Sequence, residues 1–308
     1  MVAVMSISQE LLITSGFNMT LDERIYRDIE ERLAGKEISA AVDLGAIIKP
    51  QVSAAHHFST KGLPSYYFGN REAKTVVVNL NPGEAANVCD EKWDILKQAF
   101  DCSSIDRFIV NYHQRQREFG IHYGIKPNGD ADEFDVKQAA FLTTWDNSGI
   151  GLDPNPRWAD KTFCLDAKTK VICNKLQLEL IPYASAKFDI NTKEFVLLHP
   201  YIDTLLDEIF SKERGYVIFA SAIFEKIFKY YNKCCPNTFL LCGTKTMGTP
   251  LKEGGRLRGK CRVVNINYKG KTQKALIAYT FPSQALCRAF DLMQKYGEFC
   301  HSVWGQEY

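Results

Sequence analysis

Between residues 20 and 35 apolar positions recur at helical spacing. Ile25, Ile29 and Leu33 follow Thr20-Leu21-Asp22-Glu23 and stop before Gly35. A threonine three residues ahead of a glutamate is a capping-box pattern and the glycine is a stop signal, so a helix is expected between them. At residue 75 the pattern changes. Thr75–Gly83, TVVVNLNPG, is a β-branched run closed by Pro-Gly. Such a run reads as a strand buried on both faces that delivers a polar turn to the sheet edge. Further strands are expected at Lys170–Asn174, Gly215–Ala220, Thr238–Cys242, Arg262–Tyr268 and Lys274–Thr280. Between them lie amphipathic stripes. Pro200–Phe210 carries Ile202, Leu205, Leu206 and Ile209, with the proline suited to a first helical turn. Phe224, Ile227, Phe228 and Tyr231 form a second stripe, with Ser221 as its cap, and Leu286, Phe290, Met293 and Tyr296 form a third.

Strands alternating with helices predict an α/β fold in three layers, a central and mostly parallel sheet covered on both faces. Residues 1–60 read as a helical N-terminal extension and 61–308 as the α/β domain. The stretch at about 84–165 stands apart, rich in Asp, Asn, Gly and aromatic residues and ending in the turn formers of Asp146–Arg157. An insertion of this length is more often functional or mobile than neutral.

The chain has 308 residues, 45% of them hydrophobic, enough for a large core. A net charge of +2 excludes a whole-molecule field that would pull strongly on nucleic acid. The local balance differs. Residues 245–274 contain Lys245, Lys252, Arg256, Arg258, Lys260, Arg262, Lys269, Lys271 and Lys274 against the single acid Glu253. Lys245, Arg256, Arg258 and Lys260 are the candidate phosphate contacts, with solvated loop lysines as the alternative. Ten cysteines are scattered without any C-x-x-C spacing, as in a reducing, cytoplasmic compartment, so neither a metal nor a cofactor is expected. The N-terminal segment lacks the basic flank of a signal peptide, and no apolar run reaches the roughly 20 residues of a membrane span. A monomer with no membrane contact is expected.

Four landmarks follow one another: Asn79-Leu80-Asn81-Pro82-Gly83 at a strand end, Glu179-Leu180-Ile181-Pro182-Tyr183, the strand-to-helix segment Tyr216–Phe228, and Ala278-Tyr279-Thr280-Phe281-Pro282-Ser283. In this order they resemble the uracil-DNA glycosylase superfamily, especially its mismatch-specific and single-strand-selective branches, over roughly residues 63–295. The resemblance implies a DNA glycosylase that hydrolyses the N-glycosidic bond of a damaged or mispaired base flipped out of DNA. It implies that Asn81 orients the attacking water, within a substrate-binding turn of Asn79, Pro82 and Gly83. Glu179 stands where the family reads the base edge with an asparagine. An ionised carboxylate only accepts hydrogen bonds, so it suits an exocyclic amino group better than the O4 of uracil.

Phe281, beside Pro282 and Ser283, stands where the family has a histidine or asparagine that donates to the departing base. A phenyl ring cannot donate, and losing such a donor costs about 3–4 kcal/mol. Thr280, Ser283 or Gln284 is then the substitute, or turnover is slow or absent. Tyr67, in Tyr66-Tyr67-Phe68, and Tyr183 are candidate stacking faces for a base. Core positions are the bland alternative for Phe281 and for most of these aromatics, an Asx-turn for Asn81, and a helix cap for Ser283. Two other readings stay open: a binding module of the same fold without turnover, and an α/β enzyme acting on a small nucleotide. No Gly-rich phosphate loop and no serine-nucleophile elbow is present in the sequence.

Overall fold

A computed structural model of the protein describes residues 19–49, 51, 53, 57–84, 86–122, 133–145, 151, 155–250, 258–281 and 290–306. In chain order the elements begin with α1 (Leu21–Leu33), α2 (Ser39–Gly45), β1 (Tyr67–Gly69), β2 (Thr75–Asn79), α3 (Ala86–Ala99), α4 (Ile105–His122), α5 (Glu133–Trp145) and α6 (Lys161–Asn174). They continue with β3 (Lys175–Glu179), a 3-10 turn at Thr192–Leu198, α7 (His199–Phe210), β4 (Tyr216–Phe219) and α8 (Ile223–Tyr231). The last are β5 (Phe239–Pro250), β6 (Arg258–Tyr268), β7 (Lys271–Ala278) and α9 (Phe290–Trp304).

The elements form two compact units. One holds the described residues up to Tyr66 together with Leu80–His113 and Glu179–Ser211; the other holds Tyr67–Asn79, Gln114–Leu178 and the chain from Lys212 on. The described residues before 60 all lie in the first unit, and those of the 84–165 stretch are divided between the two.

In the first unit α1 has the expected capping box: the Thr20 hydroxyl accepts from the Glu23 N–H at 3.2 Å, and the Glu23 carboxylate accepts from the Thr20 N–H at 2.7 Å. Its buried face mixes Ile25 and Ile29 with Arg24, Asp28 and Arg32, charged residues spaced one turn apart. Burying charge is costly unless each group is bonded, and these are. Arg24 donates to the Thr204 hydroxyl at 2.7 Å and to the Pro200 carbonyl at 3.1 Å on α7. Arg32 donates to the Lys61 carbonyl at 2.8 Å and lies 5.0 Å over the Trp93 ring. One face of this helix is packed into the interior of its unit.

The second unit contains a seven-stranded sheet of order β1-β3-β2-β4-β7-β6-β5. β2 pairs parallel to β4 and β4 parallel to β7, whereas β1–β3, β7–β6 and β6–β5 are antiparallel. The sheet is thus mixed, not mostly parallel. β6 and β7 are joined through Lys269-Gly270, both at positive φ (48° and 76°), a two-residue turn that connects only antiparallel neighbours. Alternation along the central strands sends side chains to both faces. Val77, Ile218, Val263 and Leu276 share a core with Phe141 of α5 and Met293 and Tyr296 of α9. Phe219 packs instead on Phe224 and Phe228 of α8, and Phe228 stacks on Phe239 at 3.8 Å. α9 crosses α5 closely at Gly297, where a Cβ would fall 2.3 Å from the Phe141 carbonyl oxygen.

The strand expected at Lys170–Asn174 is the last turn of α6. Phe163, Ala167, Val171 and Ile172 are buried at helical spacing, and tertiary packing overrides the β preference of the Val-Ile pair. The strand lies just beyond, at Lys175–Glu179.

Candidate functional site

Because β2, β4 and β7 share a direction, Asn79, Ala220-Ser221 and Tyr279–Phe281 leave the sheet at one edge. From β2 the chain goes to β3 on one side, and from there to β4 on the other side of β2. Such a reversal is a topological switch point, and in α/β sheets ligands bind outside the carboxyl ends of strands at that place. The Asn-Pro-Gly turn follows directly from β2.

That turn belongs to the first unit and is stitched to the segment after β3. Ile181 N–H donates to the Leu80 carbonyl at 2.9 Å, and Ser185 N–H to the Pro82 carbonyl at 3.1 Å. Half-buried Asn81 turns its amide nitrogen toward the Pro82 carbonyl (2.9 Å) and the buried Ser185 hydroxyl (2.8 Å), which itself donates to the Lys187 carbonyl at 3.0 Å. Carbonyl oxygen accepts only, and the Ser185 proton is committed to Lys187. The nitrogen must therefore face them, and Oδ1 points the other way as an acceptor. Gly83 is exposed, and a Cβ added to it would meet nothing within 4 Å, so the turn has open space beside it.

Glu179 ends β3 as the last of a polar row, Lys175, Gln177 and Glu179, alternating with Leu176 and Leu178. It is buried, and its N–H donates to the Tyr66 carbonyl at 3.0 Å. Tyr183 is 1% exposed, a core side chain. Its hydroxyl and that of Tyr66 each donate at 2.7 Å to Oδ2 of Asp28, whose Oδ1 receives Arg27 at 2.8 Å. Burial pushes the Asp28 carboxyl up despite Arg27 and the two hydroxyls. Burial, reinforced by the Asp28 charge, also drives both tyrosines well above the usual phenol range. Tyr67, in the other unit, is buried with the Arg71 guanidinium 5.5 Å over its ring.

At the sheet edge of the second unit Phe281 is 5% exposed and meets Phe141 edge-on at 4.7 Å, a core contact. The Thr280 hydroxyl accepts the Lys260 N–H at 3.3 Å. Pro282, Ser283 and Arg256 lie outside the described residues. Lys245, Arg258 and Lys260 are exposed. Pairing sets their faces: Lys245 lies opposite Cys261, and Thr246 opposite Lys260. Arg258, Lys260 and Arg262 thus form a row on one face of β6, and Lys245 belongs to the other face. Lys269, in the β6–β7 turn, and Lys271, the first residue of β7, sit at the far end of β6, about 30 Å from Lys260. Arg258 and Lys260 are thus at one end of β6, and Lys269 and Lys271 at the other.

Sequence reasoning did not find the partners of these groups. Ser185, the anchor of Asn81, carries no local signal. Glu225, in the first turn of α8, accepts from Lys229, from Arg262 at 2.8 Å and from the Tyr279 hydroxyl. Burial works against its charge, but these three donors outweigh it and hold the carboxyl below its ordinary range. Asp28 had a signal, since it shares the inward face of α1 with Ile25 and Ile29. Among the described residues no group of three or more His, Cys, Asp or Glu side chains is arranged to hold a metal, and no helix is long and apolar enough to cross a membrane. Comparison of the chain with protein-family models, with curated proteins and with solved structures gives no significant match.

Proposed function

We propose that the protein is a DNA glycosylase-like hydrolase of the uracil-DNA glycosylase kind, a three-layer α/β protein acting as a monomer on DNA in a reducing compartment. In this reading Asn81 orients water toward the anomeric carbon of a flipped nucleotide, within the turn of Asn79, Pro82 and Gly83. Arg258 and Lys260 hold phosphates. The observation that carries it is the Asn81 amide, pinned through its nitrogen to Pro82 and Ser185, with Oδ1 accepting no hydrogen bond among the described residues. An amide oxygen held in advance orients a water at neutral pH without any shifted ionisation. Oligonucleotides carrying uracil, deaminated purines and mismatches test the reading. At least one should yield abasic product, and Asn81→Ala should abolish that product; no abasic product on any lesion refutes turnover.

A second reading, a module of the same kind that binds without cleaving, is favoured by Phe281. Its buried ring brings no donor to the position of the departing base, and the neighbouring Thr280 hydroxyl is engaged as an acceptor. Salt-dependent binding of the lesion panel without abasic product is its signature.

A further inference from the structure

The segment 181–185 is held from three sides within the first unit. Toward the Asn-Pro-Gly turn it makes the bonds of Ile181 to Leu80 and of Ser185 to Pro82. Away from it, Ser65 N–H donates to the Pro182 carbonyl at 2.7 Å and Ser59 N–H to the Ala184 carbonyl at 2.8 Å. The third side is a side chain. Tyr183, midway along the segment, reaches Asp28 on α1 at 2.7 Å with its ring edge-on to Tyr201 at 6.5 Å. Arg24, one turn before Asp28, lies 5.1 Å over that Tyr201 ring and bonds α7. Two residues beyond Tyr183, Ser185 receives the Asn81 amide.

We infer that Asp28 is a positioning residue for Asn81: by holding the Tyr183 hydroxyl it fixes the segment whose Ser185 sets the direction of the Asn81 amide. A helix that the sequence offers as an appendage thereby governs which way the amide oxygen faces. Only the meaning of Asn81 rests on the glycosylase reading; the coupling itself is a property of the free protein.

The geometry supplies its own control. Tyr66 and Tyr183 donate to the same carboxylate oxygen at the same 2.7 Å, but only Tyr183 lies in the segment that meets Asn81. The test follows the side-chain amide protons of Asn81 by NMR without DNA, assigned by their disappearance in Asn81→Ala. Ser185→Ala removes the acceptor and defines the released state. Tyr183→Phe should move the resonances toward that state and speed their solvent exchange about tenfold, the scale of losing one buried hydrogen bond. Tyr66→Phe, which reaches the segment only through Ser65 and the 3.4 Å contact between the two hydroxyls, should move them less. Unchanged Asn81 protons in Tyr183→Phe overturn the inference, as does an equal response to Tyr66→Phe, which would mean general loosening. A lesion panel without product beside the expected amide response would defeat the glycosylase reading and leave this coupling standing.

Discussion

Phe281 separates two roles by stability alone. A ring that wedges into or stacks on DNA is exposed in the free protein and costs little when truncated. A ring that is 5% exposed against Phe141 leaves a cavity. Phe281→Ala should destabilise the fold by about 3–5 kcal/mol in urea unfolding, with Phe281→Leu costing much less. A loss below about 1 kcal/mol would return Phe281 to the candidate surface. The same distinction applies to Tyr183, whose phenol is spent on Asp28, and to Tyr67, covered by Arg71. Asn81 differs because its nitrogen is bound and its oxygen is not among the bonded groups.

α1 and β6 show what whole elements contribute. α1 buries Asp28 at 0% exposure, and burial raises its pKa. Below the ordinary carboxylate range the residue is protonated folded or unfolded. As pH rises from about 4, the unfolded chain releases this proton first and the native state keeps it, so the Asp28 contribution to stability falls until its raised pKa is passed. Unfolding free energies of wild type and Asp28→Asn should therefore diverge with pH. The wild type should lose ground relative to the variant as pH rises above about 4; a difference constant from there upward would contradict the raised pKa.

On β6 the lever is position along the strand. If the sheet edge beside β2 faces DNA, Arg258→Ala with Lys260→Ala should weaken binding and reduce its salt dependence by about two counterions. Lys269→Ala with Lys271→Ala, at the far end, should leave both nearly unchanged. Equal losses from both pairs, measured by fluorescence anisotropy across a salt series, would mean diffuse charge and no defined face.

For the whole molecule, the division of labour between local pattern and long-range contact is visible in particular residues. The capping box of α1, the β-branched run of β2 and the stripe of α8 were legible because helix and strand periodicity, caps and breakers are local properties. The arrival of Asn-Pro-Gly at a strand end follows from the same patterns. Strand direction was not legible, since it depends on which neighbours pair: Lys269-Gly270 closes a hairpin where an alternating rhythm suggested crossovers. Nor was burial of Tyr183 and Glu179, because an aromatic or polar residue near a strand end fits surface and core equally until its partners are known; for Phe281 a buried ring is the commoner expectation and is what the structure has. The nine basic residues between 245 and 274 form one run along the chain, yet among the described ones Arg258 and Lys260 start β6 while Lys269 and Lys271 lie at its other end. Asn81 and Ser185 lie 104 residues apart, and a hydrogen bond of that separation leaves no trace in local pattern. The sequence by itself determined the elements with strong local signals, such as α1, β2 and α8, and the apolar stripe that each turns inward. The tertiary structure decided which way the strands run, which candidate side chains reach solvent and which way the Asn81 amide points, because each depends on contacts between residues distant along the chain.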